Sequence, residues 1–519
     1  DVDPGKATNR TVVTFVGTPD AVVEAAFRAI KKASELIDMR KHKGEHPRMG
    51  ATDVCPFIPV ANVTMADCIS CAKKLGERVG NELQIPVYLY ESAATQPERK
   101  NLANVRAGEY EGIEQKLQQP EWQPDFGKAV FNAKSGNCII GARDFLVAFN
   151  VNLNTTSVRR ANSIAFDVRE NGRVDPSGQK DANGEPLRIP GTCKSVKALG
   201  WFIEEYGIAQ ISMNLTNINV TPVHIAFNEV NKSATKRGIR VTGSELVGLI
   251  PLQCMLDAGK YFLEQQQRSI GVSDEELIRI AIKSMGLDEL ADFNPEEKIV
   301  EYKLYGKERF GKLISMNLRA FANETASESP APGGGSIAAY VGSLGISLAT
   351  MVANLSSHKK GWDDRWKEFS DYAEKGQQLK DQLLKMVDED TNAFNQIMAA
   401  FALPKSNEEE KNNRKKAIQD ATLNAINIPY KVMELSLSSM EIIKAMASIG
   451  NPNSVTDAGV GALCARTAVI GAFLNVKINA GGLSDKAAAA QKIADGELLV
   501  TQAENLEKEI LAIVNSKIK

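Results

Sequence analysis

The pattern of apolar and polar positions divides the chain into two parts that meet near residue 303. In the first part, short runs of β-branched and aromatic residues alternate with longer runs of helical periodicity, which is typical of layered α/β or α+β folds. The predicted strands cover residues 11–16, 54–60, 87–90, 137–152, 209–217 and 247–250. The predicted helices cover residues 20–38, 65–83, 155–170, 222–237, 252–263 and 273–285.

In the second part, strand signals nearly vanish and long stretches carry helical periodicity. The predicted helices cover residues 313–325, 334–356, 366–402, 408–436, 439–448, 455–479 and 484–517. Such a run of amphipathic helices indicates an all-helical bundle. A charged segment with few apolar residues, 304–312, separates the two parts and is predicted to be a linker.

Length and charge narrow the functional classes. A chain of 519 residues is too long for one hydrophobic core, so several domains are expected. The net charge of -2 gives no global attraction to nucleic acid or to an anionic membrane, and any basic site must be local. We therefore expect neither nucleic acid nor membrane as a partner.

Cysteine usage and one apolar stretch add to this picture. Seven cysteines, an odd number, in a chain of this size suggest reduced thiols in the cytoplasm. Cys68 and Cys71 have no second Cys or His pair at zinc spacing, so we expect a shared buried helix face and no metal. The charge-free stretch 331–357 is rich in Gly, Ser and Ala and contains Asn354, which favours a tightly packed helix over a membrane span.

Two segments near the start of the chain suggest acid-base chemistry. Residues 40–50 hold four cations and two of the four histidines, His42 and His46. Pro47 biases His46 toward an extended backbone. A basic loop with an imidazole suits an anionic substrate and proton transfer, and a solvated surface loop is an equal alternative. Asp3 precedes a Pro-Gly pair; it could orient a histidine, although a turn-capping role is commoner.

Two glycine-containing segments could bring the backbone close to a ligand. The segment from Asp125 to Gly136 is framed by glycines and precedes a predicted strand, which alone is a weak indication of a binding loop. Residues 331–336 read APGGGS and open a helix. Free backbone N–H groups at such a helix start can meet an anion, and a flexible linker is the alternative.

One carboxylate is placed on the apolar face of a predicted helix. The stripe consists of Leu383, Val387, Phe394, Ile397 and Phe401. Asp390 completes its spacing, so it is predicted to face the core, where desolvation raises a carboxyl pKa. That suits a general acid or base; a partnered Asp that fixes helix register is the alternative. Asp388 and Glu389 fall on other faces, and Asp388→Asn is expected to be nearly silent.

These segments together resemble the formiminotransferase-cyclodeaminase family. The segments that resemble its glutamate formiminotransferase domain read KHKGEHPRMGATDVCPFIPV, RAGEYE, WQPDFG and GSELVGLIP. Those that resemble its formiminotetrahydrofolate cyclodeaminase domain read APGGGS, VDEDTNAF, NPNSVTD and FLNVKIN. The resemblance covers essentially the whole chain, in the order of the fused enzymes.

The resemblance implies a domain organisation. Residues 1–144 and 145–303 would form two α/β (α+β) transferase subdomains with a folate cleft between them. Residues 304–312 would be the linker, and residues 313–519 would form the all-α cyclodeaminase bundle. The family normally carries a further strand and helix before DVDPG, so we expect part of the first subdomain to be absent from this chain.

The resemblance also implies an activity and its residues. The formimino group would pass from N-formimino-L-glutamate to tetrahydrofolate, and the product would then cyclise to 5,10-methenyltetrahydrofolate with release of ammonia. His46 matches the base that takes the proton from folate N5, Asp3 the carboxylate that orients it, and Asp390 the cyclodeaminase acid/base. Lys416 falls near a folate contact. The matching folate-binding segment consists of Gly127, Lys128, Ala129, Val130, Phe131, Asn132, Ala133, Lys134, Ser135 and Gly136.

The same resemblance implies a polyglutamylated folate co-substrate, no metal, and a cytoplasmic homo-oligomer built as a ring of dimers. Two alternatives stay open. The chain could be a glutamate formyltransferase joined to a methenyltetrahydrofolate cyclohydrolase, which shares the helical scaffold. It could also be a catalytically inactive folate-binding scaffold, although the presence of both His46 and Asp390 argues against this.

Overall fold

The computed structural model describes residues 2–5, 9–43, 47–181, 184–306 and 311–518. The chain forms two compact units, Asp1–Leu249 and Ile250–Lys519. The first unit contains all the strands of the described chain, and the second is helical. The predicted fold class, two α/β parts followed by an all-helical part, is therefore confirmed.

The first unit begins with an antiparallel strand pair and a parallel sheet. The pair is β1 (Val2–Gly5) and β2 (Arg10–Val13). The parallel sheet has the order β3-β5-β4, formed by β3 (Val54–Phe57), β4 (Val87–Glu91) and β5 (Cys138–Ala142). Helices α1 (Pro19–Leu36) and α2 (Met65–Glu82) bury their apolar faces in one core with this sheet, and Thr64 and Asp67 form a capping box that starts α2. Short helices α3 (Leu102–Arg106) and α4 (Ile113–Leu117) belong to a second, smaller core.

The rest of the first unit is an antiparallel sheet covered by helices. Its order is β11-β6-β10-β9, formed by β6 (Val147–Leu153), β9 (Val196–Ile203), β10 (Ile208–Leu215) and β11 (Val241–Val247). Helices α5 (Val158–Val168) and α6 (Val223–Thr235) pack against this sheet. The Gly- and Pro-rich loop between α5 and β9 carries a two-residue pair, β7 (Arg173–Val174) and β8 (Arg188–Ile189).

The second unit is a bundle of long helices, preceded in the chain by a group of shorter helices. The smaller group is α7 (Leu252–Gln265), α8 (Asp274–Met285), α9 (Pro295–Lys298), α10 (Val300–Tyr305) and α11 (Leu318–Thr325). The long helices are α12 (Gly334–Ser357), α13 (Trp366–Ala402), α14 (Glu408–Ile449), α15 (Val455–Ala480) and α16 (Lys486–Lys517). Their shared core is rich in alanine, which allows close helix approach.

Two helices are long and apolar enough to cross a membrane by length and composition: α12, and residues 452–480, which contain α15. In the apolar window of α12, 61% of the residues are buried inside the protein, and in the other window 50% are buried. Burial of that extent is the behaviour of core helices, and it agrees with the prediction that 331–357 packs tightly.

Several predicted boundaries were wrong for identifiable reasons. The predicted strand 137–152 is two strands in two different sheets, β5 and β6, because the chain leaves the parallel sheet at Ala142 and enters the antiparallel one at Val147. The predicted strand 247–250 lies mostly beyond β11, and Ile250 makes only an isolated bridge to Ile299. β9 was missed, since Gly200 interrupts its apolar alternation.

The helical predictions were closer to the structure. The two helices predicted at 408–436 and 439–448 are one continuous helix, α14, which contains Pro429. Helix α11 starts later than predicted, where Asn317 accepts a hydrogen bond from the backbone N–H of Ala320 as its cap. Cys68 and Cys71 are buried free thiols on α2, as predicted.

Candidate active sites

Asp390 lies on α13 against the first turn of α12. The hydroxyl Oγ of Ser336 is 3.1 Å from Asp390 Oδ2 and 2.8 Å from the Val387 carbonyl oxygen. One hydroxyl proton is therefore shared between two acceptors. The side chain of Thr391 also comes within 3.4 Å of Ser336 Oγ. The segment APGGGS and the helix that carries Asp390, which the sequence singled out separately, thus form one site.

Close approach of the two helices depends on a glycine. A Cβ atom added to Gly335 would lie 2.2 Å from Asp390 Oδ1, so the carboxylate rests directly on the backbone of α12. The same atom added to Gly334 would have no neighbour nearer than 3.5 Å. Gly335 is thus required for the position of the carboxylate, and Gly334 is not.

The environment of Asp390 shifts its proton affinity. Burial raises the pKa of Asp390 above its ordinary value. Hydrogen bonds from the Ser336 hydroxyl and backbone N–H favour the charged form and oppose that rise. A carboxyl group with a raised pKa and two donors at a helix start can both hold and release a proton.

The apolar stripe around Asp390 is only partly a core stripe. Leu383 and Val387 are fully buried, as predicted, but Phe394 is 41% exposed and Phe401 is 50% exposed. The prediction that these two rings face the core was wrong in this chain. Beyond Asp390 the buried positions of α13 are Ala393 and Ala400, because the smaller side chains face the neighbouring helices there.

Asp388 has a role that its helix face did not reveal. Its Oδ1 accepts a hydrogen bond from the Leu313 backbone N–H at 2.8 Å, and its Oδ2 accepts one from Ile314 at 3.3 Å. The carboxylate thereby anchors the start of the segment that leads into α11. These contacts contradict the premise on which Asp388→Asn was expected to be nearly silent, because an amide offers only one acceptor atom where two are used.

In the first unit, the predicted folate segment 127–136 is hydrogen-bonded to residues that flank the segment 40–50, which we call the histidine loop. The backbone N–H of Met39 donates to the Lys134 carbonyl at 2.9 Å, and that of Ala51 donates to Ser135 at 2.8 Å. Gly136 has φ +66°, and a Cβ there would lie 2.2 Å from the Met49 carbonyl oxygen. The two loops are therefore held together by backbone contacts, at the amino ends of β3 and β5.

Ion pairs from Arg48 to Glu109 and Glu111, which we call the Arg48 clasp, lie next to this contact. The guanidinium of Arg48, just after Pro47, donates to Glu111 at 2.7 Å and to Glu109 at 3.1 Å. Between these glutamates, the Tyr110 hydroxyl donates to the Ala133 carbonyl, and its ring lies 5.6 Å from that of Phe131. Arg48, Met49 and the segment RAGEYE therefore lie together beside the predicted folate segment.

Two further ion pairs hold the histidine loop and the start of the folate segment in place. Asp53 accepts from the Met49 backbone N–H at 3.0 Å and pairs with Arg106. The buried Arg99–Asp125 pair has N···O 2.7 Å, and Asp125 also accepts from the Leu89 backbone N–H at 2.7 Å. Asp125 therefore serves the structure of the loop. Sequence reasoning missed these pairs, because their members lie far apart along the chain.

The remaining residues predicted for the transferase site are His46, Asp3 and the other members of the segment 127–136. His46 lies outside the described residues. The backbone of Asp3 belongs to β1 and is paired with Val12. The hairpin turn at Asn9 reaches the histidine loop, since Asn9 Nδ2 donates to the Lys43 carbonyl at 2.8 Å. Within the predicted folate segment, Lys128, Ala129, Val130 and Lys134 are exposed, whereas Ser135 is buried.

A basic pocket lies at the start of α14. It has a volume of about 310 Å³ and is lined by Lys405, Lys411, Arg414, Lys415, Ile418 and Gln419. Lys416 lies on the same stretch of α14 and is exposed, but it does not line the pocket. Arg414, which lines the pocket, also connects α14 to the end of α13, since it donates a hydrogen bond to the Phe401 carbonyl at 3.0 Å. Phe401 is eleven residues, about 16 Å, along α13 from Asp390.

Among the described residues, no group of three or more His, Cys, Asp or Glu side chains is arranged to hold a metal ion. The reactive groups of both candidate sites are carboxylates, cations and backbone N–H donors. Such groups bind anions and move protons.

Three family models match the chain: the formiminotransferase domain, N-terminal subdomain, at residues 1–143; the formiminotransferase domain at 148–305; and formiminotransferase-cyclodeaminase at 317–495. Formimidoyltransferase-cyclodeaminase of Rattus norvegicus is 42% identical over 485 residues, which are 93% of this chain and 87% of the rat protein.

Single-function relatives match each half of the chain. Glutamate formimidoyltransferase of Streptococcus pyogenes serotype M1 is 43% identical over 49% of this chain and 80% of its own length. Methenyltetrahydrofolate cyclohydrolase of Methylorubrum extorquens is 35% identical over 39% of this chain and 97% of its own length.

Proposed function

The chain belongs to the formiminotransferase-cyclodeaminase family, and on that basis we propose that it catalyses two consecutive steps. In the first, the formimino group of N-formimino-L-glutamate is transferred to N5 of tetrahydrofolate, and glutamate leaves. In the second, 5-formiminotetrahydrofolate closes to 5,10-methenyltetrahydrofolate, and ammonia leaves. We assign the first step to residues 1–303 and the second step to residues 313–519, in line with the family models that match each part.

The position of Asp390 carries this proposal for the second step. Ring closure requires a group that takes the proton from N10 as N10 attacks the formimino carbon. Loss of ammonia then requires a group that gives a proton to the departing nitrogen. One carboxyl group with a raised pKa can do both in turn. Ser336 holds that carboxyl through its hydroxyl and backbone N–H, so its orientation is set before substrate binds.

For the first step we assign His46 as the base that removes the N5 proton and Asp3 as the carboxylate that orients the imidazole. Folate is assigned to the segment 127–136. Three features of the structure support this assignment. The loop before His46 and the segment 127–136 are joined by backbone hydrogen bonds, the Arg48 clasp lies beside them, and the β1–β2 turn reaches Lys43.

A second candidate function keeps the fold and changes the reaction. The similarity of the helical part to methenyltetrahydrofolate cyclohydrolase of Methylorubrum extorquens favours a cyclohydrolase, paired with a formyl rather than a formimino donor. Release of ammonia separates the two functions, since a cyclohydrolase releases none. The match over both halves to the rat bifunctional protein makes the cyclodeaminase our first choice.

We further propose that the folate carries a polyglutamate tail and that the basic pocket on α14 binds its carboxylates. Four cations line that pocket, and carboxylates are the anions that such side chains bind by charge-assisted hydrogen bonds. Lys415→Gln should reduce the preference for polyglutamylated over monoglutamylated folate. Lys508→Gln, an exposed lysine on α16, is the control, and an unchanged preference in Lys415→Gln would contradict the assignment.

The protein is also proposed to be a cytoplasmic homo-oligomer. The two apolar helices, α12 and α15, leave large side chains uncovered in one chain, among them Leu355, Val460, Leu463 and Ile478. An apolar surface of this kind is commonly covered by a second copy. Sedimentation of the Leu463→Glu variant should reveal a smaller species than the unaltered protein; an unchanged sedimentation coefficient would exclude this helix from the interface.

The whole proposal is tested by mixing the protein with formiminoglutamate and tetrahydrofolate. We expect methenyltetrahydrofolate absorbance to rise and ammonia to appear in equal amount. A second reaction supplied with 5-formiminotetrahydrofolate alone isolates the helical unit. Methenyltetrahydrofolate formed from 5-formyl or 10-formyl donors without ammonia would replace the proposal with the formyltransferase-cyclohydrolase function.

A further inference from the structure

One face of the antiparallel sheet in the first unit is unexpectedly polar. Gly200 packs against Ala161 of α5, so the residues that alternate with Gly200 point to the opposite face. Strand register places Trp201, Gln210 and Asn152 side by side on that opposite face. Asn150 lies two residues before Asn152 on β6 and therefore points to the same face. Its register partner on β11 is Glu245, which also points to that face.

These side chains form one hydrogen-bonded network around a carboxylate. Asn150 Nδ2 donates to Glu245 Oε2 at 3.1 Å, and Gln210 Nε2 lies 3.3 Å from the same oxygen. The hydroxyl of Tyr206 donates to Glu245 Oε1 at 3.4 Å. Asn150 is 4% exposed and Gln210 is fully buried, so two buried amides hold the Glu245 carboxylate in place.

Within the part of the chain that the structure describes, this network gives the Glu245 carboxylate no cationic partner. Its hydrogen-bond partners among the described residues are uncharged amides and a phenol. The bond from Asn150 has an ordinary length, whereas the bonds from Gln210 and Tyr206 are longer than usual. A carboxylate has about four acceptor positions. Glu245 therefore retains capacity for short hydrogen bonds from a further donor, ideally one with two parallel N–H groups.

Aromatic side chains border the carboxylate. Trp201 is 39% exposed and Tyr206 is 37% exposed. The indole N–H of Trp201 donates to Gln210 Oε1 at 3.2 Å, which fixes the ring at the edge of the network. A carboxylate that contacts one partly exposed ring, Tyr206, and shares the buried amide of Gln210 with a second, Trp201, suits a flat, polar ligand. Glu245 also lies in GSELVGLIP, a segment to which the proposed mechanism assigns no role.

We propose that Glu245, held by Asn150 and Gln210, is a substrate-binding residue that accepts two N–H donors from a planar N–C–N group. This rests on the proposed transferase function, whose two substrates both contain such a group. Formiminoglutamate has a formamidine, and tetrahydrofolate has the N3–H and 2-amino edge of its pterin. The chemistry recognised is the same in both cases, and kinetics distinguishes the source.

The test is Glu245→Gln in the full chain. The amide keeps an acceptor for Asn150 and preserves size, so the network stays intact while the charge and one acceptor are lost. We expect KM to rise roughly 10- to 100-fold for one substrate, with kcat little changed. A rise for formiminoglutamate identifies the amidine, and a rise for tetrahydrofolate identifies the pterin. Glu205→Gln is the control, since Glu205 is an exposed neighbour of Tyr206 outside the network.

The results separate this inference from the proposed function. If the unaltered protein shows no transferase turnover, the proposed function fails, and binding of each substrate is then measured by isothermal titration calorimetry. Weaker binding of one substrate to Glu245→Gln than to Glu205→Gln still supports the inference. An unchanged KM for both substrates, or an equal rise for both, would overturn it.

Discussion

The carboxylate of Asp390 is positioned by two helices, whereas the predicted transferase site is positioned by loops. On the helical side, one hydroxyl, one backbone N–H and the missing side chain of Gly335 define the place of a single carboxyl group. On the transferase side, the histidine loop and the segment 127–136 are joined by several backbone hydrogen bonds and by the Arg48 clasp.

This difference predicts different responses to change. A site built from two helices depends on a few close contacts, and one added methyl group can displace its reactive group. A site built from loops distributes its position over many weaker contacts, so single supporting changes should cost less. Removal of the reactive group itself should be severe in both sites.

The largest expected effect is that of Asp390→Asn. The amide preserves size and cannot transfer protons, so the deaminase rate should fall by about two to four orders of magnitude. Transferase activity should remain, and 5-formiminotetrahydrofolate should accumulate, as measured by chromatography of the folate products. Deamination at the parental rate would make Asp390 a structural residue that fixes helix register.

On the loop-built side, His46→Ala should lower the transferase rate by about two to four orders of magnitude. The deaminase step, assayed with 5-formiminotetrahydrofolate, should be unaffected. His42→Ala is the matched comparison, because His42 Nδ1 lies 3.3 Å from Asn9 Nδ2 and serves the loop contact. Greater damage from His42→Ala than from His46→Ala would show that the base was assigned to the wrong histidine.

The two sites also differed in how far the sequence predicted them. Helical periodicity alone placed Asp390 on the buried face; Leu383 and Val387 on that face are fully buried, and Asp390 itself is half-buried. The same periodicity failed at Phe394, because alanines take over the packing beyond Asp390. Periodicity also could not show that Ser336, more than fifty residues earlier, would contact Asp390.

No local pattern predicted the contacts of the loop-built site. Arg48 and Glu111 are 63 residues apart in the chain, and their pairing depends on how β3, β4 and β5 are ordered in the sheet. Resemblance singled out both segments without saying that they touch. Pairing between residues so far apart in the chain is determined by the strand order of the sheet, and the spacing of residues within a short segment does not predict it.

A smaller effect is expected from Gly335→Ala. The added methyl would overlap Asp390 Oδ1, and displacing the carboxyl by about 1 Å should lower the deaminase rate roughly 10- to 100-fold. Gly334→Ala is the control, since its added methyl meets nothing nearer than 3.5 Å. Equal rates in the two variants would show that the close contact is not what positions Asp390.

The smallest expected effect is on stability and its pH dependence. Because burial raises the pKa of Asp390, the folded protein binds a proton more tightly there than the unfolded chain does. Stability from this group is therefore lost as pH rises through the folded pKa. Asp390→Asn should raise Tm at pH 8, and the difference should vanish below about pH 4. Calorimetry at both pH values checks this, and a lower Tm at pH 8 would contradict it.

The most direct test of two separate sites in one chain is a mixing experiment. His46→Ala and Asp390→Asn are each assayed alone, and then together, with formiminoglutamate and tetrahydrofolate, while ammonia and methenyltetrahydrofolate are measured. Neither variant alone should complete both steps, and the mixture should produce both products, because each variant keeps one working site. A mixture as inactive as the separate variants would contradict the assignment of the two reactions to two independent sites.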